Sequence, residues 1–376
     1  MTKDWEVKTL GEICKISTGK ANANQSIEDG EYAFFDRSKT IKRSDKFIFD
    51  CEALIIPGEG AQFFPRYFKG KFNLHQRAYA LFDFNKEAYI RFVEYSLILK
   101  HKYFEEVAVG ATVKSLRLRH FQDFTLSLPP IEEQKRIVKI LDEKFETVEV
   151  LKKITQEELM GARELFENYV FDVFFNPKVG WISSTLSEVC EKITDGTHQT
   201  PKYFNEGIVF LSSRNVTSRK IDWENIKYID KVQHEAMHKR VAPRMGDILL
   251  AKNGTTGVAA KVDRDTVFDI YVSLAHLRPL DFMDSDFLLY FINSLVAKKQ
   301  FNKRLKGMGV PNLHLNEIRE VVISYPKSRL DQKAVVKELD QLSEKTKELS
   351  AIFVKKTADL EELKKSYLHE AFSGKL

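Results

Sequence analysis

The chain has 376 residues and a mass of 43.6 kDa, with 43% hydrophobic and 30% charged residues. Those proportions exclude a disordered, collagen-like or fibrous chain, and the length suits two or three domains. Three cysteines (Cys14, Cys51, Cys190), none in a C-x-x-C pair, exclude a disulfide scaffold and a Cys-based zinc site and fit a reduced, cytoplasmic chain. The net charge of +5 is too mild to name a partner. With no charged-then-apolar leader and no apolar stretch of roughly 18 residues, neither a signal peptide nor a membrane span is expected.

Taken in order, the chain repeats itself. Trp5 opens W-E-V-K-T-L-G-E-I-C, ending at Cys14, and Trp181 opens W-I-S-S-T-L-S-E-V-C, ending at Cys190, an offset of 176. Y-I-R-F-V-E-Y-S-L at 89–97 matches F-L-L-Y-F-I-N-S-L at 287–295, now at an offset of 198. The same offset lays Glu133-Gln134 over Asp331-Gln332, and E-L-F-E-N-Y at 164–169 over E-L-K-K-S-Y at 362–367. Four matches in one order define a tandem duplication. The second copy is longer, with most of the extra residues between Cys190 and Gly254.

Each copy follows one plan. A mixed segment with short β-like runs (53–56, 247–250) is punctuated by glycines. A short apolar helix is expected near 86–104 and 284–305. Alternating runs at 124–128 and 321–325 lead to Pro129 and Pro326, a residue well placed to open a helix. Long helices are then expected over 131–172 and about 328–371. In the second, heptad position a reads Leu339, Thr346, Phe353, Leu360, Tyr367 and position d reads Leu342, Leu349, Lys356, Leu363. The first carries a weaker seam in register: Leu141, Val148, Thr155, Ala162, Tyr169 at a, and Lys144, Leu151, Glu158, Leu165 at d. Such stripes need a partner, and the other long helix of the same chain, antiparallel, is the simplest. Ordinary core helices of one bundle and a homodimer that uses the seams between chains are the other arrangements.

The expected fold is therefore α+β: two similar mixed α/β domains, 1–128 and 178–325, separated by paired antiparallel helices, 129–177 and 326–376, with pseudo-twofold symmetry. The charge divides accordingly. Residues 1–128 carry 20 basic and 17 acidic groups (+3) and 178–325 carry 21 and 17 (+4), while 129–177 carry 7 and 11 (−4) and 326–376 carry 11 and 9 (+2). Two modestly basic heads fit anionic ligands.

No constellation for chemistry stands out. There is no G-x-x-x-x-G-K-[ST] phosphate loop, no G-x-G-x-x-G loop and no Asn/Asp-Pro-Pro-Tyr element. His234 and His238 are spaced to share a helix face, but no third ligand is near in sequence, so they read as surface or core histidines and no metal is expected. Cys14 and Cys190 read as equivalent packing residues rather than nucleophiles. No cofactor is expected.

What remains is polar and loop-like. In the first copy the candidate nucleic-acid contacts are Thr18, Lys20, Arg37, Lys39, Lys42, Arg43, Gln76 and Arg77. In the second they are Thr197, His198, Gln199, Lys202, Tyr203, Ser212, Arg214, Asn215, Lys252, Asn253 and Thr255. Arg and Lys match guanine edges, Asn and Gln adenine edges, and Ser, Thr and Lys hold phosphates.

The motifs now add up to a family. The chain resembles, over its full length, the specificity subunit of type I restriction-modification systems. The resemblance rests on the doubled Trp-x-x-x-x-Leu domain start, D-G-T-H-Q-T-P-K-Y at 195–203 with F-L-S downstream, P-P-I-E-E-Q at 129–134 and the ending A-F-S-G-K-L at 371–376. The second copy departs at its helix start (P-K-S-R-L-D-Q, 326–332), and the first helix has V-F-F-N-P at 173–177 in place of the S-G-x-L ending. The resemblance implies two target-recognition domains, each reading one half of a bipartite double-stranded DNA site. It implies helices that act as a ruler for the gap and dock two modification subunits, which carry S-adenosylmethionine, with motor-nuclease subunits in the full complex. The subunit itself would be non-catalytic. The alternatives are a methyltransferase or nuclease acting alone, or a two-headed coiled-coil adaptor without nucleic acid.

Overall fold

The protein is described by a computed structural model covering residues 5–304 and 312–376. It divides into two compact units, with cuts between Gln156 and Glu157 and between Phe353 and Val354. Both cuts fall inside long helices, so each unit holds one mixed head and one end of each long helix.

The first unit contains β1 (Glu6–Thr9), α1 (Leu10–Ile13), β2 (Lys15–Thr18), β3 (Tyr32–Phe35), β4 (Lys42–Ser44), β5 (Phe49–Pro57), β6 (Arg66–Leu74), β7 (Ala78–Phe82), α2 (Ile90–Leu99), α3 (His101–Val107), α4 (Leu118–Gln122) and β8 (Thr125–Leu128). It also takes the start of α5 (Ile131–Phe175). Six strands form one sheet in the order β2-β7-β5-β6-β3-β4, and β1 pairs with β8. Only β3 and β6 run parallel in that sheet. The apolar run in β5 is continuous because both of its faces are covered. Leu54 and Ile56 enter a core shared with α2 and the long helices, whereas Ala53 and Ile55 enter a second core with Phe35 and Phe72.

The second unit contains β9 (Ile182–Thr185), α6 (Leu186–Val189), β10 (Cys190–Asp195), β11 (Ile208–Leu211), β12 (Lys227–Ile229), α7 (Lys231–His238), β13 (Ile248–Ala251), β14 (Ala259–Lys261), β15 (Phe268–Ile270), β16 (Leu274–Pro279), α8 (Ser285–Asn293), α9 (Leu295–Arg304), α10 (Leu315–Arg319), β17 (Val322–Tyr325) and the start of α11 (Arg329–Phe372). Its strands fall into two sheets, β10-β16-β13-β14 and β12-β11-β15. Joining β14 to β15 reproduces the order of the first unit, with β15 parallel to β11 as β6 is to β3. The expected single helix of each copy is two: α2 and α3 meet at Lys100, α8 and α9 at Ser294. The extra length of the second copy is partly α7. Residues 45–48 join β4 to β5, whereas 230–247 join β12 to β13 and hold this helix.

The same local devices recur in both units. The Glu12 carboxylate accepts the Thr9 amide (2.6 Å) and hydroxyl (2.8 Å), and Glu188 accepts the same two donors from Thr185 (2.7 and 2.9 Å). Gln134, fully buried, donates to the carbonyls of Glu87 (2.7 Å) and Pro129 (2.8 Å) and accepts the Tyr89 amide (2.8 Å). Gln332, also fully buried, donates to Phe282 (3.1 Å) and Pro326 (3.0 Å) and accepts the Asp284 amide (2.7 Å). Each glutamine thus ties the start of a long helix to the loop that precedes α2 or α8. The one-residue difference between P-P-I-E-E-Q and P-K-S-R-L-D-Q leaves the clamp intact.

Within each unit the long helices run antiparallel. In the first, Lys144 lies over the Tyr367 ring (4.1 Å), Glu149 meets Lys364 (2.8 Å) and Lys152 meets Glu361, so one number rises as the other falls. In the second, Phe166 and Arg163 line a cleft with Ser343 and Thr346, and the Tyr169 hydroxyl donates to Glu338. The buried seam differs from the expected one. Positions a are buried or half-buried, but positions d are largely outside: Leu151, Glu158, Leu165, Leu349, Lys356 and Leu363 are exposed. The second buried row lies one residue after d. It includes Val138, Phe145, Lys152 and Phe166 in α5, and Val336, Ser343, Ser350 and Ala371 in α11. Packing against the heads as well as the partner helix turns the apolar face away from the a/d register. Among the described residues no helix is long and apolar enough to cross a membrane.

Candidate nucleic-acid interface

In the first unit, four separate segments singled out in the sequence are knitted together by backbone bonds. The Ala21 amide donates to Leu74 (3.2 Å), Gln76 to Ala21 (2.9 Å), His75 to Phe35 (2.8 Å) and Gly58 to Arg77 (2.8 Å). Gly19 is required at this junction, because a Cβ there would lie 1.8 Å from the Leu74 carbonyl oxygen. Thr18, Lys20, Arg37, Lys39, Arg43, Gln76 and Arg77 are exposed around it. Some are already engaged. Arg43 donates to the carbonyls of Gly30 (2.8 Å) and Glu31 (3.1 Å), Gln76 to Asn22 (2.8 Å), and Arg77 pairs with Glu59. Lys42 is half-buried and pairs with Asp36 (2.7 Å). Burial alone would raise the Asp36 carboxyl, but Lys42 and the Ser38 hydroxyl and amide outweigh it and hold it below the usual range.

The second unit gathers the equivalent segments. The Thr197 amide donates to Ile270 (3.0 Å), Val272 to Thr197 (2.9 Å), Tyr271 to Leu211 (2.9 Å) and Lys252 to Ser273 (3.0 Å). Gly196 corresponds to Gly19, since its Cβ would lie 1.9 Å from the Ile270 carbonyl oxygen. Here, however, the centre is ionic. Asp195, buried, meets Lys252 Nζ (2.9 Å), Arg240 Nη2 (2.6 Å) and His198 Nε2 (3.3 Å). Burial pushes its carboxyl up, but these partners, Lys252 foremost, hold it below the usual value. Nearby Asp247 is buried against His276 (2.6 Å) and Arg278 (2.8 Å), whose hydrogen bonds overcome desolvation and hold it at about 2.

His198, Gln199, Lys202, Tyr203, Arg214 and Thr255 are exposed, and Thr197, Ser212 and Asn253 half-buried. Lys202 and Tyr203 sit in a loop held by Gln233 of α7, which accepts the Lys202 amide (2.8 Å) and donates to its carbonyl (3.0 Å). Two candidates are inside the protein. Lys252 is buried on Asp195, and Asn215 is buried with its side chain bonded to the Ser212 amide and to the Asp222 and Asn225 carbonyls. A side chain so engaged positions the loop and has no free edge for a base. Asn253 bridges to Asn312, and the Oδ1 atoms of both are buried without a hydrogen-bond partner among the described residues.

Sequence reading missed three things here. Residues 271–273 take the place of 75–77, and carrying the repeat through the sheet would have found them. Arg240, a ligand of Asp195, lies in the segment with no counterpart in the first copy. The third is a correction: His234 and His238 do have a third group beside them, the buried Asp269 of β15. Cys14 and Cys190 are both buried, and desolvation pushes each thiol up to about 12, which leaves neither as a nucleophile.

Two matched domains, each with a loop cluster on a mixed sheet, define a duplicated two-headed architecture, and comparison with known proteins gives it a family. The model of the type I restriction modification DNA specificity domain matches twice, at residues 2–158 and 178–354. The chain is 25% identical, over its whole length and 93% of the relative, to the type I restriction enzyme MjaVIII specificity subunit of Methanocaldococcus jannaschii. It is 32% identical to the EcoDI specificity subunit of Escherichia coli over 40% of this chain and 33% of that one. Among solved structures, the HsdS subunit from Thermoanaerobacter tengcongensis superposes with a TM-score of 0.58 at 19% identity, covering 100% of this chain and 98% of that one. A chain from a study of complex assembly and conformational transition of the type I R-M system reaches 0.75 at 20% identity, covering 100% and 99%. The chain belongs to the type I restriction-modification specificity family, and it is a specificity subunit.

Proposed function

We propose that each head reads one half of a bipartite double-stranded DNA site, that 1–128 and 178–325 are those heads, and that the helices of 129–177 and 326–376 set the gap. The observation that carries this reading is the matched loop cluster: the same segments converge around Gly19 and around Gly196, on sheets of one strand order. The exposed Lys20, Arg37, Lys39, Lys202, Tyr203 and Arg214 are the candidate contacts, while Lys252, Asn215 and Lys42 hold the loops that carry them. The exposed leucines of the long helices, Leu151 and Leu363 in the first unit and Leu165 and Leu349 in the second, are candidate docking positions for the modification subunits, with motor-nuclease subunits joining the full complex in the cytoplasm. The subunit is non-catalytic in this reading: its contribution is placement.

The test is insertion of one helical turn into both α5 and α11, followed by methylation mapping in cells that carry the cognate modification subunit. The gap lengthens and both half-sites stay the same. An unchanged gap removes the ruler. Binding of S-adenosylmethionine by the isolated chain would instead favour an enzyme acting alone.

A further inference from the structure

Among the described residues, five aspartates are buried: Asp36, Asp195, Asp247, Asp269 and Asp284. Four have a permanent cation within 4 Å: Lys42, Lys252 with Arg240, Arg278, and Arg329, respectively. Among the described residues Asp269 alone has none. Its side chain is 1% exposed, and its two oxygens face two imidazoles, His234 Nδ1 at 2.7 Å from Oδ2 and His238 Nδ1 at 3.1 Å from Oδ1. Holding a buried carboxylate away from water is costly unless a cation offsets it.

The fold prepares this arrangement. Asp230 caps α7 by accepting the Gln233 amide (2.8 Å), which fixes the helix phase and puts positions 234 and 238 on one face. That face meets Asp269, paired in register with Phe210 on the neighbouring strand. All three candidate ligand atoms lie within 4.8 Å of one another. A tetrahedral ion with bonds of about 2.0–2.2 Å holds neighbouring ligands roughly 3.3 Å apart, so binding opens the 2.7 Å His234–Asp269 separation by roughly 0.6 Å and draws together whichever pair stands widest, at most 4.8 Å. The imidazoles keep 17% and 30% of their side-chain surface, so an ion can reach the site from solvent.

We infer that His234, His238 and Asp269 bind one divalent transition-metal ion of the zinc type, through both Nδ1 atoms and the carboxylate, fastening α7 to β15. Two nitrogens and one oxygen suit zinc, cobalt or nickel, whereas magnesium and calcium require oxygen-rich shells. The fourth position is open to solvent or an exogenous ligand. Because Gln233 of the same helix holds the backbone of Lys202, the ion also steadies the loop 196–203.

The test uses the untagged full-length chain, stripped with chelator and titrated with cobalt(II), then zinc(II). One equivalent of cobalt gives the visible absorption of a tetrahedral site, one equivalent of zinc displaces it, and zinc raises the melting temperature. His238→Gln, a change at a part-exposed side chain, weakens cobalt binding at least tenfold while the protein still melts cooperatively, and Asp269→Asn does the same if it folds. His198→Ala leaves binding unchanged. Absence of stoichiometric binding by the parent chain, or equal binding by a folded His238→Gln, overturns the site and leaves Asp269 held by hydrogen bonds from the rings alone.

Discussion

The two heads share a strand order but are held together differently. In the first, β6 runs unbroken through the sheet, and Thr18, just before the close-approach glycine, is exposed. In the second, the equivalent strand is split into β14 and β15, and the residue before the glycine is the buried Asp195, tied to Lys252 and Arg240. Where the ladder is interrupted, ion pairs and an inserted helix locate the loops. The lesson is that a duplicated scaffold keeps its helix clamps, Gln134 and Gln332, identical while its loop supports diverge. Such divergence fits the proposed function, in which the two heads read different half-sites.

That contrast breaks most readily at Asp195. Replacing Asp195 with Ala leaves Lys252 buried and unpaired and destabilises the second unit by about 3–5 kcal/mol. Thr18→Ala, at the matching position, stays within about 0.5 kcal/mol. Equal effects in denaturant unfolding would erase the distinction between the heads. A smaller effect is expected with acid. The Asp247 carboxyl, held at about 2 rather than near 3.8, favours the folded state above its unfolded value, and that contribution disappears as pH falls from about 4 towards 2. It amounts to about 2 kcal/mol, and Asp247→Asn should flatten that part of the stability profile. Smallest is the effect of single contacts. Arg214→Ala should weaken binding at the second half-site by about 1 kcal/mol without lowering the melting temperature. Arg43→Ala, which removes bonds to the Gly30 and Glu31 carbonyls, should act on stability instead. A reversed pattern would exchange the contact and support roles of these two arginines.

The large features were legible because the repeat preserves residues that do structural work: Cys14 and Cys190 in the cores, Gln134 and Gln332 at the clamps, and prolines at the helix starts. The coiled-coil seam was half legible. Periodicity locates a buried row at Leu141, Val148 and Leu339, but which neighbouring row joins it depends on the heads that also pack there. The site was least legible. Lys252 and Asn215 have the composition of DNA contacts, and only the fold brings Asp195 and the Asp222 carbonyl to them. Asp269 likewise stands more than thirty positions from His234, beyond any local spacing rule.

The central claim is that the two heads read DNA independently. Its most direct test is methylation mapping in cells carrying the cognate modification subunit and a chain whose residues 1–128 come from another specificity subunit. One half-site changes while the other half and the gap stay as they were. A change in both halves would contradict the account.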